Sequence, residues 1–509
     1  MRRLALPALA AVLLAPTPAW SKTFIGTARP DHIVGTNRPD LIRPNGGADT
    51  VDARGGDDRI VAPADGYVDA IACGDGADLA LVDLADTVAA DCETVARQIS
   101  QDETSGFRAQ HETEVEPDSF AFGRTIVTAF QIGRFGAGGA EAIGWATSRD
   151  AGGAWRAGAL AAGFPAVSDP VVAYDAVHAT WLISFLGLSG RSVDVFVSRS
   201  PDGVTWGAPV AVAPAEDTDA DKEWTVCDNG AASPFRGRCY VSYLDTATGA
   251  IVTRSSTDGG VTWSGAVVSS AGVGAGTFVN GALPVVRPNG NLLVLFTVFA
   301  AFGDLSGDWV GATRSTDGGA TFTAAARVAE LDGEDVLGLR APPLVSADVD
   351  STGAVYAAWS DCRFRTECTA ADIVLAVSRD GVHWAPPARV PAVEQDSRVD
   401  AFVPALAVSG SKLALAYYTQ PQPDGCAVES CRGLDAWLLT STGGRWGAPL
   451  RLSPQPMPLR WLADGGLGAM VGDYVSVSWT GGRPLAAVAL ATVPSGGFFR
   501  EAIFAAGGT

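Results

Sequence analysis

Short apolar runs alternate with polar residues along most of this chain, and turn residues separate each run from the next. Such period-two alternation, bounded by Gly, Pro, Asn and Asp, predicts β-strands rather than helices. From about residue 110 the runs form repeated units of four segments. The second strands of these units are predicted at 125–130, 181–185, 239–243, 292–296, 354–359, 413–418 and 485–490.

A recurring turn motif lies between the third and fourth strands of these units. Its fullest form is Ser256-Thr-Asp-Gly-Gly-Val-Thr-Trp, and related copies centre on Asp150, Asp202, Asp317 and Asp380, 52 to 63 residues apart. A worn sixth copy at 441–446 lacks the aspartate. An aspartate that accepts backbone N–H groups, followed by glycines that tolerate positive φ, predicts a stapled turn. Repetition at this interval predicts four-stranded propeller blades.

A different repeat occupies residues 25–95, with aspartates at intervals of nine: Asp31, Asp40, Asp49, Asp58 and, after a two-residue slip, Asp69 and Asp78. An apolar residue usually follows two places later, and glycines punctuate the turns. We predict a helix over 87–100 and a polar linker over 101–109, with a domain boundary near residues 100–110.

Composition supports an all-β, multi-domain protein: the chain has 509 residues, 60 glycines and only 18% charged residues. Its formal net charge of −20 argues against a nucleic-acid partner, because phosphate binding needs a basic surface. Residues 1–21 have the basic start, apolar run and small-residue end of a signal peptide. We therefore expect a secreted protein without a transmembrane segment.

The eight cysteines fall in near-neighbour pairs, and an exported protein is expected to form disulfides. Local pairing is the simplest connectivity, although spacing alone does not fix it. The competing interpretation, a metal site, lacks CxxC spacing and has few histidines. The pairs are Cys73/Cys92, Cys227/Cys239, Cys362/Cys368 and Cys426/Cys431.

The nine-residue repeat resembles that of RTX (haemolysin-type) proteins, which implies a small parallel β-roll over 22–98. The resemblance also implies a possible calcium site, with Asp49, Asp58 and Asp78 as carboxylate ligands beside glycine-rich turns. Asp78 matches best, with Gly74 and Gly76 at the family's offsets. The alternative is a roll held by its Ile/Val ladder and a Cys73–Cys92 bond, without metal.

The repeated turn motif resembles the Asp box (BNR repeat) of the sialidase superfamily, whose members are β-propellers. It implies a sialidase-like propeller over 113–509, preceded by a linker or closing strand at 99–112. Seven opening segments favour seven blades, closed by a strand around 107–114, and six blades are the alternative. Because the first and third strands of a blade run the same way, the Asp boxes should lie on the face opposite the start of the innermost strands. We interpret them as structural.

Propellers bind ligands at the mouth of the channel, where the innermost strands begin. Four acidic residues, Glu116, Asp169, Glu223 and Asp473, stand at these starts, and Lys222 and Tyr474 lie beside two of them. Crowded carboxylates shift one another's pKa or recruit a cation, which is typical of a site. The alternative is that each acid pairs with a nearby arginine. The opposite arc carries Arg340, Arg363 and Arg398.

The resemblance to sialidases implies specific roles for these residues. Tyr474 would be the nucleophile with Glu223 as its partner, Asp169 the acid/base, and Arg340 and Arg363 clamps for a substrate carboxylate. Arg398, Glu116, Asp473 and Lys222 would be further substrate-binding residues. The family's Arg-Ile-Pro signature is absent, and Glu116-Pro117 stands at the nearest equivalent position.

Two functional hypotheses follow. The first is a secreted, sialidase-like glycoside hydrolase that acts on extracellular glycans. The second is a non-catalytic propeller that binds carbohydrate or a cell-surface protein. The missing Arg-Ile-Pro favours the second, whereas the Tyr, acid and Arg candidates favour the first.

Overall fold

The computed structural model describes residues 20–62, 64–190, 192–213, 219–273, 277–300, 307–333, 335–422 and 433–508. Within these ranges the chain is almost entirely β, which confirms the predicted class. The exceptions are two single-turn 3-10 helices, Thr366–Cys368 and Leu459–Trp461. The chain divides into two compact units: the first ends at Thr94, and the second runs from Val95 to Gly508.

The first unit is a parallel β-solenoid of about four turns, in which successive strands alternate between two sheets. Strands β1, β3, β5 and β7 form one sheet, and β2, β4, β6 and β8 form the other. Their bounds are β1 Lys22–Ile25, β2 His32–Val34, β3 Asp40–Arg43, β4 Thr50–Asp52, β5 Arg59–Val61, β6 Ala70–Ala72, β7 Leu79–Val82 and β8 Thr87–Val88.

The nine-residue spacing builds this coil because the apolar residue after each aspartate points inward. Val51 pairs with Ile71 and Ile42 with Ile60 in neighbouring turns, and all four are buried. The helix predicted over 87–100 is wrong. That segment contains β8 and β9 (Thr94–Gln98) instead. Glu93 in this segment and Asp86 just before it continue the coil, since they accept the backbone N–H groups of Asp78 and Asp69.

The second unit consists of antiparallel sheets that follow one another along the chain, each with four main strands. The first three sheets comprise β10 Gln110–Phe122, β11 Thr125–Arg134, β12 Ala140–Ser148 and β13 Arg156–Ala159; β14 Ala166–Asp175, β15 Thr180–Ser189, β16 Ser192–Ser200 and β17 Val210–Ala211; and β18 Ala220–Cys227, β19 Cys239–Asp245, β20 Ala250–Ser256 and β21 Val267–Val268.

The later sheets repeat the pattern with a few added short strands. They comprise β22 Phe278–Val286, β23 Leu292–Phe299, β24 Trp309–Ser315 and β25 Ala326–Glu330; β26 Ser346–Val349, β27 Val355–Asp361, β28 Asp372–Ser378 and β29 Ala388–Arg389; β30 Val399–Ser409, β31 Lys412–Pro421, β32 Gly433–Thr442, β33 Arg445–Trp446, β34 Leu450–Arg451 and β35 Met457–Pro458; the hairpin β36 Ala463–Asp464 and β37 Ala469–Met470; and β38 Ser476–Thr480, β39 Arg483–Ala491 and β40 Glu501–Gly508.

The first strands of these sheets contact one another in chain order, from β10 through β14, β18, β22, β26 and β30 to β38. Strand β38 in turn contacts β10, so the innermost strands close on themselves. Apolar side chains fill the space between neighbouring sheets; for example, Ile143 of β12 packs with Ile183 and Phe185 of β15. This arrangement is that of a β-propeller.

The last sheet is completed from a distant part of the chain. Strand β40 neighbours β39 on one side and β9 on the other, and the Ile99 amide donates to the Ile503 carbonyl at 2.8 Å. The predicted closing segment near 107–114 instead forms the start of β10, where Thr113 pairs with Glu501. Segments from both ends of the second unit therefore meet in this sheet.

The full Asp boxes form the predicted turns. Asp258 Oδ1 accepts the amides of Val261 and Thr262, both at 3.0 Å, and Ser256 Oγ donates to the same oxygen at 2.8 Å. The worn copy is different: Thr442 pairs with Arg445 across a two-residue turn whose glycines have φ of 57° and 80°. Without the aspartate to bridge it, the turn closes as a tight hairpin.

Three of the four predicted disulfides are present: Cys73–Cys92, Cys227–Cys239 and Cys362–Cys368. Cys426 and Cys431 lie outside the described residues, as does the predicted signal peptide up to residue 19. Neither helix in the described ranges has the length and hydrophobicity that a membrane span requires.

Candidate functional site

Three buried charged side chains come from irregular points on the innermost strands. The pairing register shifts between Val115 and Asp118 in β10, and β14 and β18 have shifts at equivalent places. The residues in these bulges, Glu116, Asp169 and Lys222, have φ of 54°, 51° and 54°. A β-bulge re-aims the side chain that it carries. The bulges thus direct three charges to one place.

A hydrogen-bonded chain holds the acidic side of this cluster. Arg134 Nη1 donates to Gln131 Oε1 at 2.9 Å, and Gln131 Nε2 donates to Glu116 and, at 3.1 Å, to Ser168 Oγ. The Ser168 hydroxyl donates in turn to Asp169 Oδ1 at 2.7 Å. All five side chains are buried. Each carboxyl is therefore fixed by a polar neighbour rather than left mobile.

The cationic side of the cluster centres on Asp473. Arg340 donates two hydrogen bonds to this carboxylate, from Nε to Oδ1 at 2.7 Å and from Nη2 to Oδ2 at 2.6 Å. Lys222 Nζ lies 3.7 Å from Asp473 Oδ2 and 3.9 Å from Glu116 Oε1. Although burial acts to raise the pKa of Asp473, Lys222 and Arg340 outweigh it and hold that pKa below its ordinary value. Asp473 is therefore ionised at neutral pH.

A glycine allows the last blade to approach this cluster. Gly472 has φ of 132°, and a Cβ atom placed there would lie 2.9 Å from the Glu116 amide nitrogen and 2.6 Å from the Tyr474 carbonyl oxygen. Only glycine fits such a contact. The approach lets the Asp473 amide donate to Glu116 Oε1 at 3.3 Å.

Tyr474 packs between the lysine and an aromatic ring. Lys222 Nζ lies 4.0 Å from the centre of the Tyr474 ring, and Trp224 meets that ring edge-on at 5.2 Å. The Tyr474 hydroxyl donates to the Pro170 carbonyl at 3.1 Å. Burial, together with the charges of Glu116 and Asp169, raises the pKa of Tyr474 well above its ordinary value. The phenol therefore keeps its proton.

Glu223 is the unusual member of the cluster. It is fully buried, and neither of its carboxyl oxygens has a hydrogen-bond partner among the described residues. Burial, reinforced by the charge of Asp169, raises the pKa of Glu223 well above its ordinary value. The same two causes raise the pKa of Glu116. A carboxylic acid that remains protonated at neutral pH can act as a proton donor.

The cluster borders a cavity of about 500 Å³ that follows the channel between the innermost strands. Trp224, Asp473 and Tyr474 line one end of it, and Asp228, Arg287 and Asp350 line the other. Asp118 and Asp348 are lining residues between the two ends, and burial raises their pKa to about 7 and about 6. A small polar ligand in the channel could thus reach Asp473 and Tyr474.

The structure brings together Glu116, Asp169, Lys222, Glu223, Arg340, Asp473 and Tyr474 from the predicted set. Arg363 forms its hydrogen bonds elsewhere, with Asp361 and the Glu330 carbonyl. For Arg398, the carbonyl accepts the Gln422 amide at 2.8 Å. Gln131, Arg134 and Ser168 were missed. One sequence signal could have revealed two of them: the largely apolar segment 125–134 contains Gln131 and ends in Arg134.

The predicted calcium ligands lie in two ladders within the first unit. One oxygen each of Asp49, Asp58 and Asp78 accepts the amide of the aspartate one coil turn earlier. The other oxygen of each is buried without a hydrogen-bond partner among the described residues. Burial raises the pKa of Asp58 to about 7 and that of Asp78 to about 6. No group of three or more Asp, Glu, His or Cys side chains among the described residues could hold a metal ion, so a hard cation here would need further ligands from turn carbonyls.

Comparisons with known proteins leave the family open. No protein-family profile matches the chain, and no curated protein matches it significantly. Among solved structures, a polysaccharide lyase (PL25 ulvan lyase) is similar at 12% identity and a TM-score of 0.46, over 75% of this chain and 92% of that one. A Hadza microbial sialidase is similar at 14% identity and a TM-score of 0.41, over 68% and 66%.

An α-L-arabinanase from Penicillium chrysogenum, complexed with arabinobiose, is similar at 13% identity and a TM-score of 0.43, over 64% of this chain and 93% of that one. At these identities and TM-scores, the likeness assigns neither a fold nor an activity to this chain.

Proposed function

We propose that this chain is a secreted, carbohydrate-active β-propeller that hydrolyses glycosidic bonds at the channel mouth. The observation that carries the proposal is Glu223: a fully buried carboxyl without a hydrogen-bond partner among the described residues, beside the charge of Asp169. Glycoside hydrolysis uses two carboxyl groups, one of them an acid that still carries its proton, and the raised pKa of Glu223 suits that role.

Glu223 and Asp169 would act as the acid and the base of the reaction. Glu223 gives its proton to the glycosidic oxygen as the bond from that oxygen to the anomeric carbon breaks. Asp169, fixed by Ser168, accepts a proton from the water that attacks the anomeric carbon. Glu223 ends as a carboxylate and Asp169 as an acid, and proton exchange with solvent restores both. Lys222 limits the repulsion within the cluster because it lies within 4 Å of Asp473 and Glu116.

A sialidase-like variant of this proposal uses Tyr474 as the nucleophile. Its hydroxyl is engaged with the Pro170 carbonyl, so it would first have to give up that bond and its proton. The two variants differ in their dependence on the phenol. Tyr474→Phe abolishes hydrolysis if tyrosine is the nucleophile, and reduces it modestly if Glu223 and Asp169 carry the reaction.

The test is a screen of the purified full chain on fluorogenic sialosides and neutral glycosides. We expect turnover on at least one substrate and a loss of at least about 100-fold in kcat for Glu223→Gln. Glu114→Gln is the matched control, since Glu114 is a buried carboxyl of the same unit with an unpartnered oxygen. Equal activity of Glu223→Gln and the control would remove Glu223 from the mechanism.

A second candidate function is a non-catalytic propeller that binds glycans or cell-surface proteins. It is favoured by the hydrogen bonds that these side chains already form. Asp473 accepts from Arg340, and the Pro170 carbonyl accepts from the Tyr474 hydroxyl. Glycan-array binding without turnover on any substrate would support this candidate over the hydrolase.

We further propose seven blades, supported by the closed series of first-strand contacts that runs from β10 to β38 and back to β10. Six blades would leave one of these strands outside the ring. Hydroxyl-radical footprinting tests the count: all seven first strands should be equally protected, and one strand labelled as surface would contradict it.

For the first unit we propose RTX-like calcium binding by Asp49, Asp58 and Asp78. The support is their buried, unpartnered second oxygens. In the full chain, millimolar Ca²⁺ should slow amide exchange in peptides from 22–94 relative to equal Mg²⁺, and Asp78→Asn should weaken the effect. Identical exchange with either ion would contradict the proposal.

A further inference from the structure

We propose that Arg340 and Lys222 form a seat for an anionic group and that Asp473 permanently fills it, so that the site accepts uncharged sugars and rejects acidic ones. The inference rests on the proposed carbohydrate function and names its substrate class. It assigns Asp473 as the residue that determines this specificity.

The geometry at Asp473 is that of a bound carboxylate ligand. The guanidinium of Arg340 meets it along one edge with two bonds of 2.7 and 2.6 Å, the arrangement by which arginine recognises planar anions. Lys222 adds a second positive charge 3.7 Å from Oδ2. The side chain of Asp473 thus supplies the carboxylate that a uronic or sialic acid would otherwise bring.

The seat lies where a ligand could reach it. Asp473 and Tyr474 line the end of the 500 Å³ cavity, and the Arg340 side chain is 28% exposed. Arg340 comes from a loop whose position is fixed by two backbone hydrogen bonds: its own amide donates to the Ala469 carbonyl at 2.9 Å, and the Ala469 amide donates to Gly338 at 3.0 Å. The backbone of Arg340 is therefore held in place independently of Asp473.

The surrounding charges add to the discrimination. Glu116 Oε1 lies 3.9 Å from the same lysine, and Asp169 brings a further negative charge near it. A second carboxylate brought by a substrate would find Arg340 already paired with Asp473, and Asp473 and Glu116 already within 4 Å of Lys222. Such like-charge contact is a known device for rejecting the wrong ligand.

The first experiment removes the carboxylate from Arg340 and Lys222 with the substitution Asp473→Ala. We expect the melting temperature of the full chain to fall by about 5–10 °C, because the buried Lys222 and the partly buried Arg340 lose their partner. Formate or acetate at tens of millimolar should restore at least half of the loss, relative to chloride at equal ionic strength. The wild-type protein should show no such difference between carboxylate and chloride.

Two controls make the result specific. The double variant Asp473→Ala/Arg340→Met should lose the carboxylate response, because the two-pronged donor is gone. Asp361→Ala empties a comparable two-pronged pair with Arg363, which does not line the cavity and has no lysine near its carboxylate among the described contacts. Equal rescue of Asp361→Ala would show that any unpaired arginine takes the anion, and would overturn the proposal.

Asp473→Asn provides a second variant if the alanine substitution prevents folding. It keeps the shape of the side chain and removes the charge. Glucuronate binding, measured by isothermal titration or ligand-observed NMR, should be at least tenfold tighter to Asp473→Asn than to the wild type. Equal affinity of the two proteins, or tight binding of glucuronate to the wild type, would overturn the proposal.

These measurements separate the inference from the proposed function. Anion binding needs no turnover, so a protein that hydrolyses nothing can still show the filled seat. Conversely, a wild-type protein that hydrolyses sialosides or uronides would confirm glycoside hydrolysis and contradict the inference.

Discussion

Glu116, Asp169 and Lys222 adopt left-handed backbone angles that residues with a Cβ atom seldom occupy. Each such residue costs on the order of 1 kcal/mol, and the cost persists only where the surroundings enforce it. The equivalent bulge of β22 contains Gly281, which has no Cβ atom and therefore no such cost. That of β30 contains the uncharged Val403. Charge is thus combined with strain at three neighbouring blades, where the cluster forms.

A second buried acidic pair, outside the cluster, should respond to pH. Glu501 accepts the Ala463 amide through Oε2, its Oε1 has no hydrogen-bond partner among the described residues, and Glu114 lies nearby. Burial raises the pKa of Glu501 well above its ordinary value. Above about pH 4.3 the unfolded chain therefore loses a proton that the folded chain keeps, so this group lowers stability as pH rises.

Glu501→Gln should remove this penalty and flatten the decline in the free energy of unfolding by up to about 1.4 kcal/mol per pH unit. Guanidinium unfolding at pH 5 and pH 8 measures it. The exposed Glu103→Gln serves as the control and should behave as the wild type. Parallel pH profiles for all three proteins would contradict the assignment.

At this scale the sequence predicted only part of the cluster, since it missed Gln131, Arg134 and Ser168, and it did not show how the residues meet. The acidic starts of the innermost strands and Tyr474 could be found because propeller repeats place equivalent positions together. The bulges could not, since a register shift depends on pairing with β11, β15 or β19. Nor could the bidentate Arg340–Asp473 pair, because it joins two loops 133 residues apart.

Among the elements, the Asp boxes also tie neighbouring blades together. Arg149 donates to the Asp202 carbonyl of the next box, Arg199 to Gly259 and Arg238 to Gly318. Each arginine belongs to the sheet before the box that it contacts. The boxes follow the third strands, whereas the cluster lies at the starts of the first strands, so the two features lie on opposite faces as predicted.

Asp258→Ala should therefore lower stability by about 1–2 kcal/mol without changing ligand binding or turnover. Although burial opposes it, hydrogen bonds from Thr262 and Ser256 hold the pKa of Asp258 at about 2. The stabilisation is present above pH 4 and is lost as pH falls towards 2. Denaturant unfolding at pH 7 and pH 3 tests this. A difference between wild type and variant that does not shrink at the lower pH would contradict it.

The worn copy at 441–446 offers a substitution that should stabilise the protein rather than destabilise it. Gly443 has φ of 57°, and a Cβ atom there would meet nothing within 4 Å. Asn-Gly is the preferred pair for such a two-residue turn, so Gly443→Asn should stabilise the protein by about 0.5–1 kcal/mol. Gly443→Val, a β-branched residue at the same angle, should destabilise it. Thermal melting compares the two, and the same sign for both would refute the turn assignment.

For the whole molecule, local signals were enough to predict the class and the repeated sheets, because each sheet is built mainly from one continuous segment. The last sheet is the exception. Its strands β38, β39 and β40 come from the end of the chain, while β9 comes from residues that we predicted to be helical. Pairing over 400 residues leaves no local trace, and the five-residue segment 94–98 is too short to distinguish strand from helix.

This closure should govern the stability of the entire ring. Ile503 is fully buried in β40, and its backbone bonds to Ile99 and to Ser100 Oγ. Ile503→Ala should cost about 2–5 kcal/mol, whereas the exposed Val493→Ala should cost under about 0.5 kcal/mol. Because each sheet is packed between two neighbours, separating one pair of sheets removes packing contacts that stabilise the next sheet. Hydrogen exchange should therefore accelerate even in β23, which lies in a different sheet. Acceleration confined to β9, β39 and β40 would show that the sheets open independently.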